Sequence, residues 1–205
     1  SSSLLPGFNA VDGTTNTSPI HPHGTMVSGC ISAIGNNSQG VAGVAFGVKI
    51  LPVRVSNDAT GSAYLSDMAN GVRWAADHGA RVINLSYGGA QYATIDQAAQ
   101  YARGKNALLF MAAGNDGLDI STSYPDYGSF VLVGASNPSD GRSSFSNYGT
   151  AIDLVAPGES IVTTTLNNGY ASVAGTSFAS PITAAGAALM LSANPNLTVS
   201  QLETL

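Results

Sequence analysis

Two kinds of hydrophobic pattern alternate along this chain. Apolar residues that recur every three or four positions predict amphipathic helices at His23–Ile34, Ser62–His78, Thr94–Arg103 and from about Ser177 onward. Short apolar runs predict buried strands at Arg81–Ser86, Ala107–Ala112 and Phe130–Ala135, and a strand at Val48–Val55 that Pro52 demotes toward an edge or a bulge. Buried strands that alternate with such helices indicate an α/β fold with three layers, α/β/α, around a mostly parallel central sheet.

Composition narrows the classes of protein to which the chain can belong. It has 205 residues, 44% of them hydrophobic and only 9% charged, which is enough for one sizeable core. No repeat or linker divides residues 1–205, so we expect a single domain. The net charge of −5 comes without a basic patch, which argues against nucleic acid as a partner. No apolar run reaches the length of a membrane span, so we expect no membrane partner.

A serine stands at the predicted start of the last long helix. Proline is tolerated only near a helix start, so Pro181 places that start close to Ser177. The free N–H groups there favour an anion, which suits a nucleophile whose transition state carries an oxyanion. The alternative is that Ser177 serves only as an N-cap, and this stretch alone does not decide between the two.

The chain contains three histidines that could serve Ser177 as a base. His78 ends a predicted helix, where a cation suits the helix dipole, so we predict a capping role. His21 and His23 flank Pro22, and no further His or Cys cluster completes a metal site with them. His23 opens a predicted helix and is therefore the better candidate for the base.

Three segments resemble the motifs of the subtilases, the subtilisin-like serine proteases of peptidase family S8. His23–Gly29 resembles their histidine motif, Ala113–Asn115 the segment that carries their oxyanion asparagine, and Gly175–Pro181 their serine motif. The three occur in the family's order and at about its spacings. The resemblance runs through nearly the whole chain and implies the fold and activity of a serine endopeptidase.

This resemblance implies a role for each matching residue. Ser177 would attack the scissile carbonyl, His23 would carry the proton, and the Asn115 side chain would hold the oxyanion with the Ser177 N–H. A polypeptide substrate would add as a strand between two chain segments. The implied substrate contacts are Ser86, Tyr87, Gly88, Thr60, Gly61, Ser62, Ala112, Ala113 and Gly114. Their small apolar walls favour large apolar residues, unless Asp126 turns inward and favours basic ones.

Many subtilases bind calcium in the loop after the histidine helix. The corresponding loop here offers hard oxygen ligands, and the implied metal contacts are Ile34, Asn36, Asn37 and Val41. The family's site also uses an acid and a residue from further upstream. A plain polar turn is the alternative.

The resemblance does not extend to the aspartate of the triad. In the family that aspartate precedes the histidine, at a strand end, and the only acid before His23 is Asp12. Asp12 better matches a turn after a returning strand at Phe8–Val11. We therefore expect the aspartate on a segment upstream of this chain, and a domain trimmed at both ends. The 205-residue piece alone is then expected to be nearly inactive and poorly soluble.

The alternative function is a catalytically inactive binding or scaffold fragment with the same fold. Retention of His23, Asn115 and Ser177 argues against it. The Gly-x-Ser-x-Gly elbow of esterases and the His-Glu-x-x-His motif of metalloproteases are both absent from the sequence. The family implies a secreted enzyme that acts as a monomer.

Overall fold

A computed structural model describes residues 4–204, so residues 1–3 and 205 of the predicted domain lie outside it. The helices are α1 (His23–Ser32), α2 (Leu65–Asp77), α3 (Ala93–Gly104), α4 (Thr176–Ala193) and α5 (Val199–Thr204). The strands are β1 (Phe8–Asn9), β2 (Val53–Arg54), β3 (Val82–Leu85), β4 (Leu108–Ala112), β5 (Val131–Ser136), β6 (Leu154–Pro157), β7 (Ile161–Thr164) and β8 (Tyr170–Val173).

The central sheet has the order β3-β4-β5-β6 and is parallel throughout. Every residue of β4 is buried, because helices cover both faces of the sheet. Successive strand residues point to opposite faces, so Leu109 and Met111 join the core under α2 and α3. Leu108 and Phe110 join the core under α4 and α5. The predicted three-layer α/β/α class is confirmed.

The predicted strand Val48–Val55 is reduced to the two residues of β2. Pro52 has no N–H to donate to a neighbouring strand, which limits the ladder at this point. β2 pairs in parallel with β1 and forms a sheet separate from the one that contains β3. Helix α2 follows β2 in the chain and leads into β3.

An apolar groove of about 700 Å³ separates β2 from β3, and we call it the strand groove. Within residues 4–204, β2 pairs only with β1 and β3 only with β4, so the facing edges of β2 and β3 have no strand partner. Helix residues such as Met68, Val72 and Ala184 line the groove as well. The groove is therefore bounded by two open strand edges and by apolar side chains from both helical layers.

Helix α4 corrects the expectation that no apolar segment of this chain reaches the length of a membrane span. Its 18 residues have a mean hydropathy of 1.2, so by length and composition alone this helix is long and apolar enough to cross a membrane. Of these 18 residues, 44% are buried inside the protein. The reason for its apolar character is its central position, since it contacts α1 and all four strands of the central sheet.

Candidate active site

A cleft of about 280 Å³ lies beyond the carboxyl ends of β3 and β4, where parallel sheets place their sites. It brings together most of the residues that the sequence nominates. The catalytic candidates in its lining are His23, Asn115 and Ser177. The substrate-binding candidates in its lining are Ser86, Tyr87, Gly88, Thr60, Gly61, Ala112 and Gly114. His21, which the sequence ranked below His23 as a base, and Thr176, which the sequence did not nominate, also line the cleft.

Three nominated residues lie outside this lining. Ser62 is exposed beside the cleft. Ala113 is only 1% exposed and belongs to the hydrophobic core, because it points to the face of the sheet opposite to that of Ala112. Asp126 is exposed, and nothing in the cleft lining corresponds to an inward-turned carboxylate at this position.

Ser177 lies in the first turn of α4, as the sequence predicted for the helix start. The turn before it is made by Gly175, whose φ of 147° is one that side chains rarely adopt. Ser177 is half-buried and faces the cleft. Its hydroxyl therefore sits at the end of a helix where N–H groups are free to bind an anion.

The side chain of Asn115 is held in one orientation by Thr176. The Thr176 N–H and hydroxyl donate to Asn115 Oδ1 at 2.8 and 3.0 Å. Thr176 is itself fully buried, and its hydroxyl oxygen accepts from the Gly114 N–H at 3.1 Å. Because two donors hold the amide oxygen, the Asn115 Nδ2 group is left to donate to a ligand in the cleft.

His23 is the first residue of α1, and its ring lies between two aromatic side chains. The centroids of the Tyr87 and Phe178 rings lie 6.1 and 5.9 Å from that of His23, both in edge-on geometry. Its backbone N–H donates to Nδ1 of His21 at 3.3 Å. Burial lowers the pKa of His23, and the nearby His21 lowers it further. The neutral form, which can accept a proton, is thus favoured near neutral pH.

The hairpin β7–β8 anchors the helix that carries His23. The hydroxyls of Thr163 and Thr164 donate to the carbonyls of Met26 and Thr25 at 2.7 and 3.1 Å. Gly29 permits this approach, because a Cβ there would clash with both of those hydroxyl oxygens. The sequence-based reasoning missed β7 and β8, whose alternating exposure lacks a continuous apolar run.

No carboxylate in residues 4–204 is among the groups that act on His23. Asp12 lies in an exposed turn, where it accepts from Asn9 Nδ2 at 3.0 Å and from the Thr14 hydroxyl at 2.7 Å. The hydrogen bonds from Thr14 lower the pKa of Asp12. Asp58 accepts from the Thr60 N–H of its own loop at 2.7 Å. Both acids are thus engaged in their own turns.

The strand groove reaches the cleft at His23. Its lining includes His21, His23, Ser86 and Tyr87, which also line the cleft. A chain segment that lay in the groove alongside β3 would therefore end beside the imidazole of His23.

The candidate calcium ligands lie on the loop after α1. Ile34 is 51% exposed, Asn36 has a φ of 57°, and Val41 is half-buried. Asn37 Oδ1 accepts from the Gln39 N–H at 3.0 Å, so this oxygen is already engaged. Residues 34–41 contain no Asp or Glu, whereas Ca²⁺ takes about six to eight oxygen ligands with carboxylates among them. The loop alone does not fit such a site. Calcium binding at this loop stays a prediction.

Comparison with known proteins gives one consistent result. The family model for the subtilases, Peptidase_S8, matches residues 3–205. The thermophilic serine proteinase of Bacillus sp. (strain AK1) is 42% identical over 194 residues, which are 94% of this chain and 48% of that protein. Subtilisin Savinase of Lederbergia lenta is 41% identical over 192 residues, 93% of this chain and 70% of that protein.

The solved structures agree with this result. A cold-adapted subtilisin-like serine proteinase superposes with a TM-score of 0.88 and 38% identity, over 99% of this chain and 73% of that one. The chain spans about half the length of the first curated relatives it matches. The match of fold, sequence and family model over almost every residue shows that this chain belongs to the subtilase family.

Proposed function

We propose that this chain forms the catalytic part of a subtilisin-like serine endopeptidase. The observation that supports this most directly is the cleft in which Ser177, at the start of α4, lies with His23 and with an Asn115 amide oriented by Thr176. A nucleophile at a helix start and a side-chain amide with a free Nδ2 group are the parts that acyl transfer needs.

The proposed chemistry begins with Ser177. Its Oγ bonds to the carbonyl carbon of the peptide bond while its proton passes to His23, and the carbonyl electrons move onto oxygen. The Asn115 Nδ2 group and the Ser177 N–H donate to that oxyanion. When the carbon–nitrogen bond breaks, His23 returns the proton to the leaving amine. Water then hydrolyses the acyl-enzyme by the same steps, again with His23 as the base.

A further strand carrying an aspartate or glutamate is proposed to fill the strand groove. It would run parallel to β2 and β3, because both facing edges are open and those strands point toward the cleft. Its carboxylate would then lie at the groove's end, beside His23, where it would hold the ring in the tautomer that accepts the Ser177 proton. Apolar residues along such a strand would also cover the apolar walls of the groove.

The substrate is proposed to be an extended polypeptide. Ser86–Gly88 and Thr60–Gly61 form facing walls of the cleft, joined by a bond from the Tyr87 hydroxyl to the Gly61 carbonyl at 2.9 Å. Such walls suit a strand that adds by backbone hydrogen bonds.

Secretion and a monomeric state stay predictions.

Labelling with a serine-directed fluorophosphonate, mapped by peptide mass spectrometry, tests this function. We expect the label on Ser177, and its loss in Ser177→Ala and His23→Ala. Labelling at other serines only, or labelling of Ser177 that is unaffected by His23→Ala, would overturn the proposal. The first result would favour an inactive scaffold with this fold, the alternative that the sequence left open, and the second would show that His23 is not the base.

A further inference from the structure

Pro181 lies inside α4, beyond its first turn. In an α-helix the carbonyl of residue i accepts from the N–H of residue i+4, and for Ser177 that residue is Pro181. Proline has no N–H, so the carbonyl of the nucleophile has lost its normal helical donor. A carbonyl that is partly removed from water is stabilised by another donor, and the structure supplies one here.

Ser86 supplies the replacement from the end of β3. Its hydroxyl donates to the Ser177 carbonyl oxygen at 2.8 Å. Ser86 is only 7% exposed, so water does not compete freely for this hydrogen bond. The bond joins the central sheet directly to the residue that carries the nucleophile.

Two further side chains determine where the Ser86 proton points. Asn84 Nδ2 donates to Ser86 Oγ at 2.9 Å, and Ser180 Oγ donates to Asn84 Oδ1 at 2.8 Å. With Ser86 Oγ already accepting from Asn84, its own proton is directed to the Ser177 carbonyl. Donation therefore runs in one direction, from Ser180 through Asn84 and Ser86 to Ser177, and each bond polarises the next. We call these three side chains the relay.

We propose that the relay is a positioning device for the nucleophile, with Ser86 as the residue that takes over the hydrogen bond deleted by Pro181. Because the relay holds the Ser177 carbonyl, it fixes the local backbone, which in turn sets the positions of the Ser177 Oγ and of the Ser177 N–H. The proposal rests on the proposed function of Ser177. The relay starts at Ser180 and donates finally to the Ser177 carbonyl, both in α4, so it ties the first turns of that helix to β3.

The carbonyl of Ser177 can be observed without any turnover. The chain contains three Ser–Phe pairs, at residues 129–130, 144–145 and 177–178. Labelling of serine carbonyls with ¹³C and phenylalanine amides with ¹⁵N therefore yields three NMR correlations, two of which are internal references. We expect Ser86→Ala to move the Ser177 carbonyl resonance upfield, as loss of a hydrogen bond does, and to leave the two references in place.

A double-mutant cycle separates positioning by Ser86 from a general packing role. Pro181→Ala restores an N–H at position 181, so the helix can bond the Ser177 carbonyl by itself. We expect Ser86→Ala to move that resonance strongly when residue 181 is proline and little in the Pro181→Ala background. Thr183→Val is the matched control. It removes a hydroxyl bond to the Ala179 carbonyl in the same helix and should leave the Ser177 resonance in place.

Labelling kinetics give the functional readout. Ser86→Ala should slow the fluorophosphonate labelling of Ser177 about tenfold, the change that corresponds to one hydrogen bond, with recovery in the Pro181→Ala background. Equal effects of Ser86→Ala in both backgrounds, or no movement of the carbonyl resonance, would overturn the relay. The Ser177 carbonyl resonance can be measured in a chain that has no activity. If the fluorophosphonate labels Ser177 in no variant, that result therefore counts against the proposed function and not against the relay.

Discussion

The two halves of the cleft are built in different ways. On the nucleophile side, Ser177 and Asn115 are held by hydrogen bonds from Thr176 and Ser86, all within β3, β4 and α4 and the turns beside them. On the base side, the helix that carries His23 is anchored by β7, yet the ring borders the apolar strand groove. The nucleophile half is held by hydrogen bonds within residues 4–204, whereas no carboxylate of that range is among the groups that shift the pKa of His23.

This difference separates two tasks that a serine protease must combine. Aligning a nucleophile with its oxyanion donors needs only neighbouring strand ends and one helix start. Orienting a base needs a third group, which we propose comes from a strand between β2 and β3. Substitutions on the nucleophile side should therefore change the rate of Ser177 acylation directly. Substitutions on the base side should change it through the orientation or the pKa of His23.

Apart from the nucleophile Ser177 itself, the largest single-residue effect on the nucleophile side is expected at Asn115. Asn115→Ala removes the side-chain donor to the oxyanion and should lower the rate of Ser177 acylation by about 10²–10³-fold. Ester hydrolysis by the chain or by a protein that contains it measures this rate. A change of less than tenfold would mean that Asn115 does not face the oxyanion and that the two halves of the cleft are equally incomplete.

On the base side, Gly29→Ala should disrupt the contact between α1 and β7. The added Cβ would meet the hydroxyls of Thr163 and Thr164, so we expect a loss of about 1–3 kcal/mol in the free energy of unfolding. Urea denaturation measures it. Gly24→Ala is the matched control in the same helix, because a Cβ there meets nothing within 4 Å. Equal stability of the two variants would contradict the proposed anchoring of His23.

Thr176→Val tests how firmly Asn115 is held. The substitution keeps the shape of the side chain but removes the hydroxyl that donates to Asn115 Oδ1, while the backbone donor remains. We expect roughly a tenfold slower acylation, in line with one hydrogen bond. Thr176→Ser keeps the hydroxyl and should retain most of the rate. Loss of rate in both variants to the same extent would assign the effect to packing.

The smallest effect is expected for substitutions of His21, which should shift the pH dependence of the acylation rate. The pKa of His23 is lowered by burial and by the charge of His21, so His21→Ala should raise it part of the way back toward about 6.5. Because the base must be neutral, the acid limb of the pH–rate profile should move to higher pH. His21→Asn also lacks the charge but retains an acceptor for the His23 N–H. It should show the same movement; a shift confined to His21→Ala would assign the effect to the lost hydrogen bond.

The sequence predicted the catalytic candidates because each lies in a motif of distinctive residue types. It did not reveal Thr176 or the relay, since Thr and Ser hydroxyls in small-residue segments look like ordinary helix residues. Asn84 did carry a signal, because asparagine is disfavoured within strands and here interrupts an apolar run. The sequence predicted an exposed sheet edge, but not that the strand groove would lie between β2 and β3. It arises from the pairing of β2 with β1, which depends on contacts between residues far apart in the sequence.

The most direct test of the central claim supplies the proposed strand from outside. A synthetic peptide of about eight β-branched residues with Asp near its carboxyl end, within the usual length of a strand, is added to the chain. The same peptide with Asn in place of Asp is the control. We expect the Asp peptide to raise the rate of Ser177 labelling by up to about 10⁴-fold over the control, the effect of a triad aspartate. Equal rates with the two peptides, when both protect the edges of β2 and β3 from hydrogen exchange, would contradict the claim that the base side lacks only an acid.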